Sequence, residues 1–295
     1  MAIVLITGCS SGFGLAGALA FARRGDRVYA TVRFEAGCEA LRKMATDENL
    51  ELHPRILDVT QPDIFSDFIA EIVAHAGGLD ILVNNAGIIV PGAWEDLPET
   101  AIRAVMETNF FGPMLLTRAA LPHLRAQGSG LIIMISSLSG LAGLAGDVAY
   151  TASKFALEGA TEALRHEIDR WGIHVALVEA GQYATKLLRA DDELPDGYPI
   201  DSAYRNLVAA KLAEIHAGAS RAMSPDIIGE LLLRIADSDG SQLRWPADDV
   251  AIHVLNTVHK LNDAERDAFL RGAGGSDWWS DGLVQPAADD NQTGN

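Results

Sequence analysis

Positive charge is scarce in this sequence. Lys and Arg number 23 against 40 Asp and Glu over 295 residues, a formal net charge of −17. Such a field repels nucleic acid and anionic membrane surfaces, so neither is expected as a partner. Any phosphorylated ligand must then be held locally, by backbone amides or a few arginines. Cysteine is rarer still: Cys9 and Cys38 are too few for a disulfide framework or a thiolate metal site, and no metal is expected. Two free thiols suit a reducing compartment, so a cytoplasmic location is expected. No apolar run reaches the about 18 residues that a membrane span needs. The first residues show neither a charged n-region nor a cleavage-like site, so no leader is expected. Asn291-Gln292-Thr293 fits a glycosylation sequon, but in a polar tail it reads as a chance match.

What is present is a core. Hydrophobic residues make up 48% of the chain and charged residues 21%, enough for a large α/β domain. Short apolar runs at Ala2–Thr7, Arg27–Val32, Leu52–Leu57, Asp80–Val83, Leu131–Ile135 and Ile173–Val178 read as six strands. Helical stretches separate them: Leu15–Arg24, from about Glu39, Asp63–Ala76, Thr100–Gln127 (disturbed or divided by Pro113) and Tyr150–Trp171. Strands and helices in alternation predict an α/β fold, a single-domain, doubly wound parallel sheet of Rossmann type with helices on both faces. One domain is expected over 1–271. Within it, the polar stretch 182–222, broken by Pro195, Gly197 and Pro199, reads as a substrate loop. Ser224-Pro225-Asp226 predicts a helix to about Ala236, and another follows near Asp248–Leu261. Residues 272–295 read as a flexible tail.

Between the first strand and first helix lies Thr7-Gly8-Cys9-Ser10-Ser11-Gly12-Phe13-Gly14. Glycines there permit a tight turn and close backbone approach to a pyrophosphate, which meets the positive end of the helix. At the end of the second strand, where an NAD site places an acid, stand Val32 and Arg33, with Arg42 and Lys43 nearby. A charged contact to a 2′-phosphate is worth roughly 1.5–3 kcal/mol, so NADP(H) is favoured, with NAD(H) as the alternative.

Tyr150 and Lys154 are one helical turn apart on the same face. An isolated tyrosine has a pKa of about 10, and moving it to about 7 needs roughly 4 kcal/mol of differential stabilisation of the phenolate. A lysine beside a bound cationic nicotinamide could supply it, making a general acid or base beside a hydride carrier.

Together these motifs resemble the short-chain dehydrogenase/reductase family in its single-domain form, over about residues 2–185 and more loosely to about 262. The turn matches Thr7, Gly8, Gly12 and Gly14, with Ser10, Ser11 and Phe13 between them. The N-N-A-G segment is Asn84-Asn85-Ala86-Gly87, and Ser137 stands at the family's distance before Tyr150. By that resemblance Tyr150 is the general acid or base, Lys154 lowers its pKa and binds the nicotinamide ribose, and Ser137 holds the substrate oxygen. Asn109 would bind a proton-relaying water. Asp58 and Val59 would meet the adenine, and Asn85, Ala86 and Gly87 would lie beside the cofactor. The family's usual Pro-Gly after the sixth strand is here Ala180-Gly181, followed by Gln182, Tyr183 and Thr185. Thr185 is the counterpart of a nicotinamide contact, and the Gln182-Tyr183 pair is expected to reshape the pocket.

The segments Gly8–Gly12, Tyr29–Arg33 and Arg244-Trp245-Pro246 look most like the hydroxysteroid and retinol dehydrogenase branch. That implies a small lipophilic alcohol or ketone as substrate. Leu187, Leu188, Leu194, Tyr198 and Tyr204 would supply apolar surface beside the acidic Asp191-Asp192-Glu193, and Trp278 and Trp279 could cover a pocket. A homodimer or homotetramer paired through the two long helices is also implied. Epimerase-like relatives would need glycine at Ser11, while a redox sensor or a scaffold without turnover is the remaining alternative.

Overall fold

The computed structural model of the chain describes residues 1–181, 183, 185, 198–219 and 222–273. Among them, seven strands form one sheet: β1 (Ile3–Ile6), β2 (Arg27–Val32), β3 (Leu52–Ile56), β4 (Ile81–Asn84), β5 (Gly130–Ile135), β6 (Ile173–Glu179) and β7 (Arg244–Pro246). Their order is β3-β2-β1-β4-β5-β6-β7 and every pairing is parallel. The helices are α1 (Gly12–Arg24), α2 (Glu35–Glu48), α3 (Phe65–Ala76), α4 (Glu99–Met106), α5 (Gly112–Gln127), α6 (Val148–Ile168), α7 (Arg205–Ala219), α8 (Asp226–Ala236), α9 (Asp249–Val258) and α10 (Asp263–Ala273).

Successive strand side chains point to opposite faces, so each strand feeds two cores. Val4, Ile6, Val28 and Val83 pack with Phe21, Leu41, Ile228 and Leu231 under α1, α2 and α8. Leu5, Tyr29, Leu82 and Ile132 pack with Ile69, Leu116, Leu124 and Leu157 under α3, α5 and α6. Each fully buried Leu, Ile or Phe adds about 1.5–3 kcal/mol, and these two layers cover the two faces of the sheet. Chain order reverses between β1 and β4, and in such sheets the ligand crevice lies there.

Several boundaries differ from the sequence expectation. Helix α2 begins at Glu35, since Phe34 ends the extended segment. Pro113 does not break the long helix. Instead α4 and α5 are joined by one wide π turn over Glu107–Phe111, which absorbs the proline. Pro54 sits in β3, an edge strand, where its missing donor is tolerated. The expected loop 182–222 contains helix α7, because the Pro and Gly residues cluster before it and Arg205–Ala213 is rich in Ala and Leu. Strand β7 and helix α10 have no counterpart in the sequence reading. The expectations on Gln182, Leu187, Leu188, Leu194, Asp191, Asp192, Glu193, Trp278, Trp279 and residues 274–295, the sequon included, lie outside the described residues. Among the described residues no helix is long and apolar enough to cross a membrane.

Candidate active site

The glycine turn and the segment after β4 are stitched together by the Thr7 and Asn85 side chains bonding to main-chain groups. Thr7 Oγ1 accepts the N–H of Asn85 at 2.9 Å and of Ala86 at 3.0 Å. Asn85 Nδ2 donates to the Thr7 carbonyl at 2.7 Å and the Gly8 carbonyl at 3.2 Å. Cys9 N–H reaches the Thr31 carbonyl at 2.8 Å, tying the turn to the end of β2. Gly8 has φ +72°, which a side chain rarely adopts. A Cβ on Gly14 would run into the Gly8 carbonyl and Asn85, so the turn closes only on glycine. Ser11 caps α1 with extended backbone but no side-chain bond, which leaves the first amides of α1 facing the crevice. Uncapped amides above a clamped glycine turn fit a pyrophosphate. Ser10 is exposed, and Phe13 is half-buried.

Farther along the crevice, Arg33 stands exposed at the end of β2 with its guanidinium 5.5 Å from the Phe34 ring centre. It makes no ion pair among the described residues, whereas Arg42 and Lys43 are taken by Glu35 at 2.6 Å and Asp47 at 2.6 Å. Asp58 is half-buried, its Oδ1 accepting the Thr60 N–H at 2.9 Å and hydroxyl at 2.7 Å, and Val59 is buried beneath.

Tyr150 enters from the first turn of α6 and is 6% exposed, with the Ser137 side chain acting on its hydroxyl. Ser137 follows β5, where its Oγ accepts the Ser139 N–H at 3.2 Å and starts a short turn. Lys154 Nζ lies 5.6 Å from the Tyr150 ring centre and donates to the Ile135 carbonyl at 2.8 Å. Burial pushes Tyr150 up to about 12, against the Ser137 bond, which lowers it, and with Asp147, which raises it further. Burial likewise pulls Lys154 down to about 8, against Glu158. In the protein without cofactor, desolvation holds Tyr150 protonated; the sequence expectation joins Lys154 to a bound cationic nicotinamide as the source of a lowered pKa.

Asn109 sits in the π turn, buried. Its Oδ1 accepts the Ile88 N–H at 2.8 Å, and Nδ2 donates to the Ile88 carbonyl at 2.8 Å and Ser153 Oγ at 3.1 Å. Ser153 in turn donates to the Tyr150 carbonyl at 2.7 Å. Both amide hydrogens are thus spent on bracing the segment after Gly87 against α6. Pro113, four residues on, has no N–H for the Asn109 carbonyl.

After β6 the lost proline is replaced by side-chain anchors. Asp248 Oδ2 accepts the Gly181 N–H at 3.1 Å while Oδ1 caps α9 through Ala251 at 2.8 Å. Tyr183, the described member of the Gln182-Tyr183 pair, is 2% exposed, its hydroxyl donates to the Ala247 carbonyl at 3.2 Å, and its ring meets Phe13 edge-on at 5.0 Å. Thr185 is thereby laid over the glycine turn, within 3.1 Å of where a Gly12 Cβ would stand. The structure brings together Gly8–Gly14, Asn85, Ala86 and Thr185, and separately Ser137, Tyr150, Lys154 and Asn109. Sequence reasoning missed the bracing by Thr7 and Ser153. The N-N-A-G match did imply that its segment steadies the sheet, and buried Asn84 Nδ2 donates to Thr117 Oγ1 at 3.0 Å.

A doubly wound sheet whose switch point carries a glycine turn and a tyrosine-lysine pair defines a nucleotide-dependent redox enzyme. The chain belongs to the short chain dehydrogenase family, whose profile matches residues 2–194. It is 36% identical over 248 residues to an uncharacterized oxidoreductase of Bacillus subtilis, covering 83% of this chain and 88% of that one. It is 35% identical to retinol dehydrogenase 8 of Bos taurus over 82% of this chain and 80% of that protein. Among solved structures, a short-chain dehydrogenase from Streptomyces avermitilis matches with a TM-score of 0.78 and 32% identity, covering 93% of this chain and 98% of that one. A metagenomic short-chain oxidoreductase in complex with NADP matches with a TM-score of 0.66 and 26% identity, covering 83% and 95%. The protein is an NAD(P)-dependent dehydrogenase/reductase.

Proposed function

We propose that this protein is an NADP(H)-preferring oxidoreductase. It interconverts an alcohol, secondary in the main reading, and its ketone or aldehyde on a lipophilic substrate of steroid-like or aromatic type. The observation that carries the reading is the buried Tyr150, with Lys154 Nζ 5.6 Å from its ring centre and the Ser137 side chain acting on its hydroxyl. The nicotinamide, when bound, supplies or accepts the hydride. Tyr150 gives its proton to the carbonyl oxygen in reduction and takes one from the alcohol in oxidation, a contribution of about 10²–10⁴-fold. Ser137 donates to the same oxygen as negative charge develops there. Lys154 steadies the ionised phenol and reaches the nicotinamide ribose, with Thr185 on the carboxamide. Asn109, its side chain spent on Ile88 and Ser153, acts through its main-chain carbonyl as the start of a water path for protons. Asp58 and Val59 meet the adenine.

A tyrosine held protonated by burial suits the acid role, which supports reduction as the cellular direction. Preference for the 2′-phosphate is supported by Arg33, exposed and free of carboxylates among the described residues, and by the NADP-bound neighbour. The lipophilic substrate is supported by the relative named for retinol. Exposed Phe111 and Phe155 on the long helices support a homodimer or homotetramer, which a monomer mass by light scattering rejects. The buried free thiols support a cytoplasmic location.

The deciding experiment follows nicotinamide absorbance with purified protein against steroid, retinoid and aromatic carbonyls, NADPH and NADH side by side. Turnover with an NADPH preference is the expected result. NADH preference rejects the role of Arg33, and tight cofactor binding without turnover across the panel favours a sensor.

A further inference from the structure

Behind the tyrosine-lysine pair lies a buried cluster of charges that the reaction outlined above does not use. Glu158, one turn beyond Lys154 on α6, is 4% exposed, and Glu179, the last residue of β6, is fully buried. Arg244 of β7 reaches between them: Nη2 stands 3.2 Å from Glu158 Oε2 and 2.9 Å from Glu162 Oε2, and Nε stands 3.7 Å from Glu179 Oε1. The carboxylate oxygens of Glu158 and Glu179 form no hydrogen bond of good geometry among the described residues, and burial raises the pKa of both groups. The packing is close. A Cβ on Gly140, in the turn that Ser137 begins, would come within 2.9 Å of Glu158 Cγ and 2.8 Å of Ser136 Oγ. Glu158 therefore lies directly beneath the turn that presents Ser137.

Buried carboxylates are costly unless matched by positive charge. Arg244 faces both carboxyl groups, burial and the neighbouring Glu158 keep Glu179 protonated up to about pH 8, and the buried cation one turn from Glu158 is Lys154. The groups facing Lys154 are Tyr150 and Glu158 on its own helix and Ser136 and Ser137 after β5. Beyond Tyr150 stands Asp147, 3.6 Å from Lys211 of α7. Behind Glu158 stand Arg244, Glu162 and Glu179. Burial favours a neutral Lys154, and Glu158 is the group that opposes it.

We infer that Glu158, clamped by Arg244 against Glu179, is a positioning residue whose buried carboxylate keeps Lys154 in the ammonium form that the Tyr150 chemistry requires. The inference rests on the oxidoreductase reading for its functional meaning, but its physical content is tested without substrate. Protein carrying lysine labelled with ¹³C at the ε carbon is titrated by NMR, with Lys154 assigned through Lys154→Arg. In Glu158→Gln the Lys154 midpoint is expected to fall by about one unit, a tenfold loss of proton affinity, whereas Glu158→Asp retains it and Glu162→Gln, at the surface, leaves it unmoved. Should Glu158→Gln not fold, Glu179→Gln removes a carboxyl that ionises near pH 8, over the same range as Lys154, and gives a smaller fall in the same direction. The alkaline limb of carbonyl reduction moves with the midpoint. A Lys154 midpoint unchanged in a folded Glu158→Gln protein overturns the inference. A shifted midpoint in a protein that turns over no carbonyl leaves it standing and rejects the oxidoreductase reading instead.

Discussion

The two sides of the crevice are held by different kinds of bond. On the cofactor side, main-chain groups of the glycine turn, β2 and the segment after β4 are joined through Thr7, Asn85 and Cys9, with little solvent access. On the side proposed for the substrate, the segment 198–204 meets the loop before α4 through side chains. Asp96 Oδ2 accepts the hydroxyls of Tyr198 at 2.7 Å and Ser202 at 2.5 Å, and Tyr204 donates to Glu95 at 3.0 Å. Backbone geometry is the same whatever the surrounding side chains, so it suits a ligand that never changes. Side-chain latches can be rewritten one residue at a time, which suits a substrate peculiar to this chain. The difference explains why the residues of one side announce the cofactor while those of the other do not announce the substrate.

Removing the chemistry without touching either side gives the largest effect. Tyr150→Phe is expected to lower turnover by about 10²–10⁴-fold with NADPH affinity and Tm near wild type, as read by steady-state kinetics and cofactor fluorescence. Retained turnover would mean that another group moves the proton. The pH dependence carries a definite sign. Lys154 has its pKa pulled down to about 8 by burial, so its ammonium is present below that and lost above. Reduction in the protein without other limits should therefore fall roughly tenfold per unit as pH rises beyond about 8, while Tyr150, pushed up to about 12, stays protonated throughout. Glu179, raised to about 8 by burial and by the neighbouring Glu158, binds a proton in the folded chain that the unfolded chain releases near its ordinary value of 4.5. Stability should then decline from about pH 4.5 to 8, and Glu179→Gln should flatten that decline in thermal melts.

Next comes the edge of the cofactor side, where a side chain rather than the backbone decides. Arg33→Ala is expected to cut the NADPH-over-NADH preference about 10- to 100-fold, the worth of one charge-assisted phosphate contact, with NADH kinetics unchanged. An unaltered ratio would place Arg33 in solvent and move the selectivity elsewhere.

What was legible in the sequence follows the same division. The glycine turn and the Tyr150, Lys154 and Ser137 set were readable because their geometry depends on spacing along one turn or one helix face. The sheet was readable because its strands are buried on both faces and appear as continuous apolar runs. Contacts between distant residues were not. Nothing local shows that Asn109 spends its side chain on Ile88, or that Tyr183 turns into the core beneath Phe13. Strand β7 is only Arg-Trp-Pro, too short for a pattern, and α10 is mostly polar, with a low apolar fraction that reads as tail. Glu179 was the one overlooked clue: an acid ending the run Ile-His-Val-Ala-Leu-Val is out of place in a buried strand unless something meets it.

The smallest effects set the two sides against each other directly. Thr7→Val removes the acceptor for two half-buried amides, and leaving them unpaired should cost about 1–3 kcal/mol, seen as a lower Tm together with weaker cofactor binding, since the turn and its support are one unit. Asp96→Asn weakens two hydroxyl contacts that already touch water. Its stability cost should stay within about 0.5 kcal/mol, the usual range for surface changes, while KM for the best carbonyl shifts severalfold and cofactor affinity does not move. If Asp96→Asn instead loosened the cofactor as Thr7→Val does, the two sides would form one cooperative unit and the contrast between backbone clamp and side-chain latch would fail. If it altered neither KM nor affinity, the segment 198–204 would have no part in substrate entry, and recognition would have to rest on side chains nearer Tyr150.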